Sequence, residues 1–162
     1  MHPAEGKYYI DGIDLWKAFG IFLESGTDDF LKFPAKKDGI SHDWEDANGV
    51  DYDLSRVFFK DRTISLNAAI VADSKDAFWQ QYNSFLAQIA QPGTHRLTID
   101  ELDNSFYIFY KECTSFTRFT RIKTPTGDKV GCKFIINVVE PAPAINNEDV
   151  YIVDDEGRYL IT

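Results

Sequence analysis

The chain has 162 residues, with 26 acidic residues against 17 basic ones, a net charge of −9 and a pI near 4.7. That length holds one domain with a real core but not two, and the charge argues against a surface built to neutralise nucleic-acid phosphates. No apolar run reaches the ~20 residues that cross a bilayer, the N-terminus lacks the blocks of a signal peptide, and 15% aromatic residues suit a β-rich core, so the expectation is a folded intracellular chain without membrane insertion.

Residues 7–10 form a short strand, closed by the turn-prone pair Asp11 and Gly12. Residues 19–25 read as a second strand. A long polar stretch follows from 26 to 53, containing FLKFP and broken by Pro34, Gly39 and Gly49. Stretches of this length are functional or packed against something. Its last part, DWEDANGVDYD, crowds Asp43, Glu45, Asp46, Asp51 and Asp53 around Gly49. A calcium loop places oxygen ligands on alternate residues and a glycine at the sixth position. Counted from Asp46 the glycine arrives at the fourth, and counted from Asp43 an alanine, Ala47, takes a ligand position. A polar loop is the better reading, and no metal or cofactor is assigned.

From Arg62 the pattern sharpens. Ile64, Leu66, Ala68 and Ile70 alternate with Thr63, Ser65, Asn67 and Ala69, the period of a half-buried strand. Asp73 is placed to cap a helix over residues 74–90. Phe78, Tyr82, Phe85 and Ile89 recur there at helical spacing, Leu86 widens the stripe, and Pro92 and Gly93 stop it. The stripe predicts a helix laid on a sheet, with Trp79 at its edge, facing the core margin or a partner. Strands follow at 95–100, 105–123 and 129–139, antiparallel by their short turns at 102–104 and 125–128. Phe106, Ile108 and Tyr110 lie on one face of the middle strand and Tyr107 and Phe109 on the other, which predicts cover on both sides. The fold class is therefore mainly β with one helix: an antiparallel sandwich or barrel flanked by that helix.

Pairing Lys123 with Lys129 puts Cys113 opposite Val139, seven residues from Cys132. That is ~23 Å along a strand, against the ~7 Å a disulfide spans, so both thiols are expected free. His2, His42 and His95 show no paired ligand spacing for zinc. The domain is expected to occupy residues 1–141, with residues 142–162 forming a Pro-containing linker and a short hairpin turning at 154–157.

Several motifs stand in a particular order. Tyr9 with Gly12, Ile13 and Asp14 is followed by Phe19, Gly20 and Ile21; a loop bearing Gly49 leads to Tyr52, Phe59 and the K-D-R-T-I run at 60–64; Pro92 and Gly93 end the helix; and the last strand runs from Phe134 into Pro141. Over about residues 7–141 this order resembles the N-terminal domain of distal tail proteins of long-tailed bacteriophages, a ring component of the tail tip. The resemblance implies a sandwich of the tail-tube type, assembled as a homo-oligomeric ring, usually of six. It implies tail-tube and tail-tip proteins as partners, genome DNA passing through without specific binding, and a location in the virion tail after assembly in the host cytoplasm. It also implies that the polar loop is an extension contacting the neighbouring subunit. Asp43, Trp44, Asp46, Asp51, Tyr52 and Phe59 are accordingly assigned to a subunit interface. The family often carries a second, carbohydrate-binding-like domain, for which this chain is too short.

The alternative reading is a carbohydrate-binding sandwich stacking sugars on Trp16, Trp44 or Trp79. A glycosidase would need two carboxyl groups held ~5 to ~9 Å apart, one with a raised pKa, and loop acids beside glycines seldom meet that demand. The sequence has no G-x-S-x-G, no Cys and His arrangement with a base in reach and no phosphate-binding glycine loop. No catalytic residue is assigned, and the chain is read as no enzyme.

Overall fold

The computed structural model describes residues 2–143. In chain order it contains β1 (Tyr8–Ile10), β2 (Ile13–Asp14), α1 (Leu15–Phe19), β3 (Ile21–Ser25), β4 (Ser41–Asp43), β5 (Val50–Tyr52), β6 (Arg62–Ala72), α2 (Lys75–Ile89), β7 (His95–Ile99), β8 (Asn104–Thr124) and β9 (Gly127–Glu140). The main sheet is antiparallel in the order β2-β1-β7-β8-β9-β6-β3, while β4 and β5 pair only with each other. No helix among the described residues is long and apolar enough to cross a membrane.

The 21 residues of β8 make this one sheet into a sandwich. Residues 104–108 pair with β7, and from Phe109 onward the strand pairs with β9 instead. The strand thus leaves one leaf and enters the other, so that the two apolar faces meet. Ile10, Leu97, Ile99 and Phe106 of the first leaf share one core with Leu23, Ile64, Leu66, Ile136 and Val138 of the second. The alternation read in β6 holds over its first half, where Ile64 and Leu66 are buried and Thr63 and Ser65 exposed; Ala68 and Ile70 are buried as expected, but Asn67 is half-buried and Ala69 is buried too. α2 lies on this core through Phe78, Phe85 and Ile89, with Tyr82 half-buried and Leu86 exposed.

Several expectations are corrected. The strand expected at 19–25 begins only at Ile21, because Leu15–Phe19 is a short helix. Asp14 caps it by accepting from the Trp16 and Lys17 amides, and it ends at Gly20, whose φ of 62° suits glycine. A Cβ at Gly20 would lie 2.5 Å from the Val71 carbonyl oxygen. The cap of α2 is Ser74, not Asp73: its hydroxyl accepts from the Ala77 amide at 3.1 Å, while Asp73 pairs with Lys129. The Tyr107 and Phe109 face of β8 is exposed rather than covered. Lys123 pairs with Asp128 rather than Lys129, and two bulges between that turn and Cys113 each add a residue to β8, so Cys113 lies opposite Ile136; a third bulge follows between Tyr110 and Glu112. Cys132 is then four residues away rather than seven, still ~13 Å, and both thiols are free. The hairpin expected at 154–157 lies outside the described residues.

One polar cluster ties the first turn to the helix. His95 is buried, with Nδ1 2.7 Å from Asp11 Oδ2 and Nε2 3.2 Å from the Gln91 carbonyl oxygen. Asp11, at φ 51°, also accepts from Gln88 Nε2 at 2.8 Å and from the Arg96 amide at 2.9 Å. Burial pushes the Asp11 carboxyl up, but the hydrogen bonds from His95, the Arg96 amide and Gln88 outweigh it and leave the group below its ordinary value.

Two outcomes follow from this packing. Phe85 touches Phe19 edge-on at 5.6 Å and faces Phe134 at 6.3 Å, so Phe85→Ala lowers stability by about 3–5 kcal/mol in a urea melt. Leu86→Ala, on the exposed side of the same helix, costs about 1 kcal/mol or less. Because the folded pKa of Asp11 is depressed, its contribution is fully present above the unfolded value near ~3.9 and is lost as pH falls through the folded one. Asp11→Asn therefore lowers Tm at neutral pH, and its melting temperature falls less steeply than the wild type's below pH ~4. Asparagine tolerates the left-handed conformation, so the backbone is not the cause.

Candidate subunit interface

Between Phe30 and Arg62 the chain leaves the sandwich and returns as a two-stranded arm. At its root the Lys60 amide donates to the Ala35 carbonyl and the Lys37 amide to Phe58, both at 2.8 Å, around a bridge between Lys36 and Phe59. Farther out the Asp53 amide donates to Ile40 at 2.9 Å. β4 and β5 then pair Ser41 with Tyr52, His42 with Asp51 and Asp43 with Val50. The long polar stretch is therefore a hairpin, hidden in sequence because its strands are three residues each.

At the tip the Trp44 Nε1 donates to Asp51 Oδ2 at 2.8 Å, and the His42 ring meets Trp44 edge-on at 4.0 Å. Asp51 is thus spent on an indole. Just below, the Ser55 hydroxyl and amide hold the Asp53 carboxyl below its ordinary value. Among the described residues no group of three or more His, Cys, Asp or Glu side chains is placed to hold a metal ion.

Arg62 secures the root. Its Nε donates to Glu140 Oε2, its Nη1 donates to the Lys32 carbonyl, and its guanidinium lies 5.9 Å from the Phe30 ring centre. Glu140 is buried, and Arg62 stands opposite it in the pairing of β6 with β9.

Asp43, Trp44, Asp46, Asp51 and Tyr52 are together at the tip, all exposed. Phe59 is not with them; it is half-buried at the root, across from Lys36. The arm also carries apolar side chains that sequence reading passed over. Phe33 is 99% exposed, Ile40 79% and Leu54 78%, with Val57 and Phe58 exposed beside them. The available signal was their presence in a long stretch otherwise made of charges, glycines and a proline. A two-stranded ribbon is marginal in water on its own, and large apolar side chains exposed in series mark a surface that meets another molecule.

The tryptophans of the alternative reading are each engaged. Trp16 is stacked by His2 at 3.7 Å, Trp44 is held by His42 and Asp51, and Trp79 packs edge-on against Phe78 and Tyr82 at 5.5 Å.

No protein-family model matches the chain, and no curated protein matches it. Among solved structures it is similar to the crystal structure of the Dit protein of phage SPP1, described as a paradigm of the hub adsorption apparatus in phages infecting Gram-positive bacteria. The two share 14% identity at a TM-score of 0.49, over 80% of this chain and 48% of that one, so the chain spans about half the length of that protein.

Proposed function

We propose that the protein is a structural subunit of a phage or prophage tail tip, of the distal tail type, that assembles into a ring through its arm. The observation that carries this reading is the arm itself. About thirty residues leave the sandwich at one root and hold aromatic and aliphatic side chains in solvent, their strands paired, among the described residues, only within the arm. Such a ribbon gains its remaining stabilisation by lying on a second molecule.

The order of the sequence motifs supports the same reading, since the family it resembles carries an inter-subunit extension at this point of the chain. Arm and sandwich are different patches of one surface; joined head-to-tail rather than by reciprocal exchange between two copies, they make a heterologous contact that closes into a ring or runs on as a filament. Six is the number the resemblance implies. The partners are the tail tube on one side and tip proteins on the other, the site of action is the virion tail, and assembly takes place in the host cytoplasm. A charge of −9 per subunit suits a conduit through which DNA passes without being held. The role needs no catalysis.

The test replaces residues 39–54 by a short Gly-Ser turn. Light scattering over a concentration series, with negative-stain images, should show closed rings for the full chain and monomers for the shortened one, at nearly unchanged melting temperature. Asp46→Ala should leave monomer stability within about half a kcal/mol. A shortened chain that still closes rings, or a full chain that stays monomeric at every concentration, refutes the proposal.

A further inference from the structure

The arm tip and the β8–β9 ladder carry opposite charge. Residues 41–54 hold five carboxylates, Asp43, Glu45, Asp46, Asp51 and Asp53, and no lysine or arginine. Residues 111–133 hold six basic residues against two acidic ones, in a chain whose net charge is −9. Lys129 and Lys133 are paired with Asp73 and Glu24. Lys111, Arg118 and Lys123 are exposed and have no carboxylate partner among the described residues.

The same ladder borders an apolar surface. Between Ser115 and Phe119 the register of β8 on β9 is regular, with Phe116 opposite Phe134 and Arg118 opposite Cys132, so Phe116 and Arg118 share a face. Phe116 stacks on Phe134 and meets Tyr82 of α2 edge-on, both at 5.9 Å, yet is 46% exposed. Trp79, one step along the helix, is 58% exposed, and Leu86 stands out from the same helix. Beneath them a cleft of about 60 Å³ is lined by Tyr82, Phe85, Leu86, Cys113 and Phe116. Ligand pockets run to about 300–1,000 Å³, so this cleft takes an aliphatic or aromatic tip rather than a free ligand. The subunit's own arm does not cover this surface, because residues 35–58 are all exposed.

We propose that the arm tip of one subunit seats on the face built by α2 and the β8–β9 ladder of the next. Its carboxylates meet Arg118 and Lys123, which stand opposite Cys132 and Asp128 on the same face of the ladder, and its apolar side chains cover Trp79, Leu86 and Phe116. This pairing rests on the ring-subunit reading and names the receiving surface. It is head-to-tail, and its electrostatic part is screened over about 8 Å at physiological ionic strength, so assembly weakens as salt is added. A purely apolar seat would not weaken in this way.

Charge reversal on each side tests it. One variant carries Asp43→Lys and Asp46→Lys, a second carries Arg118→Glu and Lys123→Glu, and a third carries all four changes. Each of the first two should raise the concentration of half-assembly at least tenfold, with melting temperature unchanged. The third should recover to within about threefold of wild type, since about 1.4 kcal/mol separates each factor of ten. An equimolar mixture of the first two should also assemble, in alternation, each supplying the arm that the other's face accepts. If the face variant assembles normally while shortening the arm abolishes assembly, the receiving surface is wrong and the ring reading stands. If neither the fourfold variant nor the mixture recovers, the pairing is equally refuted. If shortening the arm has no effect, the ring reading itself falls.

Discussion

The ion pair between Arg62 and Glu140 decides where the sandwich stops and the arm begins. Both side chains lie at the last paired positions of β6 and β9, and both are largely withdrawn from water. Withdrawal is costly for either charge alone: removing one partner of a buried pair typically loses about 3–5 kcal/mol, because the other remains uncompensated. Here the guanidinium meets further needs. Its second hydrogen bond goes to the Lys32 carbonyl on the outgoing strand, and its face lies over Phe30. Phe30 in turn stacks on Phe106 of β8 at 4.3 Å. One arginine thus joins the returning strand of the arm, the outgoing strand and both leaves of the core. The arm projects from a root that is as fixed as the sandwich, although nearly everything beyond it is in solvent.

That division explains why the exposed apolar side chains are not a failure of packing. The sandwich closes its own core, because β8 crosses from leaf to leaf and brings the two apolar faces together. The aromatics left outside fall into three groups, one along the arm, one around Phe116 and Trp79, and Tyr107 with Phe109 on the outer face of β8. Single exposed apolar residues are ordinary. The first two groups, one bordered by carboxylates and the other by lysines and arginines, form a pattern that a solitary monomer does not require.

Legibility in the sequence followed length and regularity. β6 and α2 could be read because eleven and fifteen residues are enough for a period to repeat. α1 could not: five residues complete little more than one turn, and its stop, Gly20, falls inside the run 19–25 that reads as a strand. β4 and β5 failed for the same reason. The register of β8 differs from the expectation by three residues at Cys113 because the turn pairs Lys123 with Asp128 and because two bulges, which leave no mark in composition, lie between that turn and Cys113. Of the six residues assigned from sequence to an interface, the five at the tip are neighbours in space because they are neighbours along one hairpin. Phe59 was grouped with them by sequence order, whereas the hairpin returns it to the root. The face around Phe116 was not readable at all, since it exists only where α2 lies beside β8.

An exposed ribbon and a half-paired strand also invite the wrong partners. Among the described residues β8 is paired on one side only beyond Ile108, and such an edge offers a template for indiscriminate strand addition. The bulges answer this: an extra residue in β8 twists its free edge away from the straight register another strand would need. The charges of the arm act in the same direction. Five carboxylates at one tip repel the tip of a second copy, so arms do not pair with arms. They also disfavour any acidic surface of a chain that is acidic overall. Repulsion thereby narrows the choice for a ribbon whose apolar side chains would otherwise adhere widely, and it leaves the basic ladder as the region of the subunit that attracts the tip.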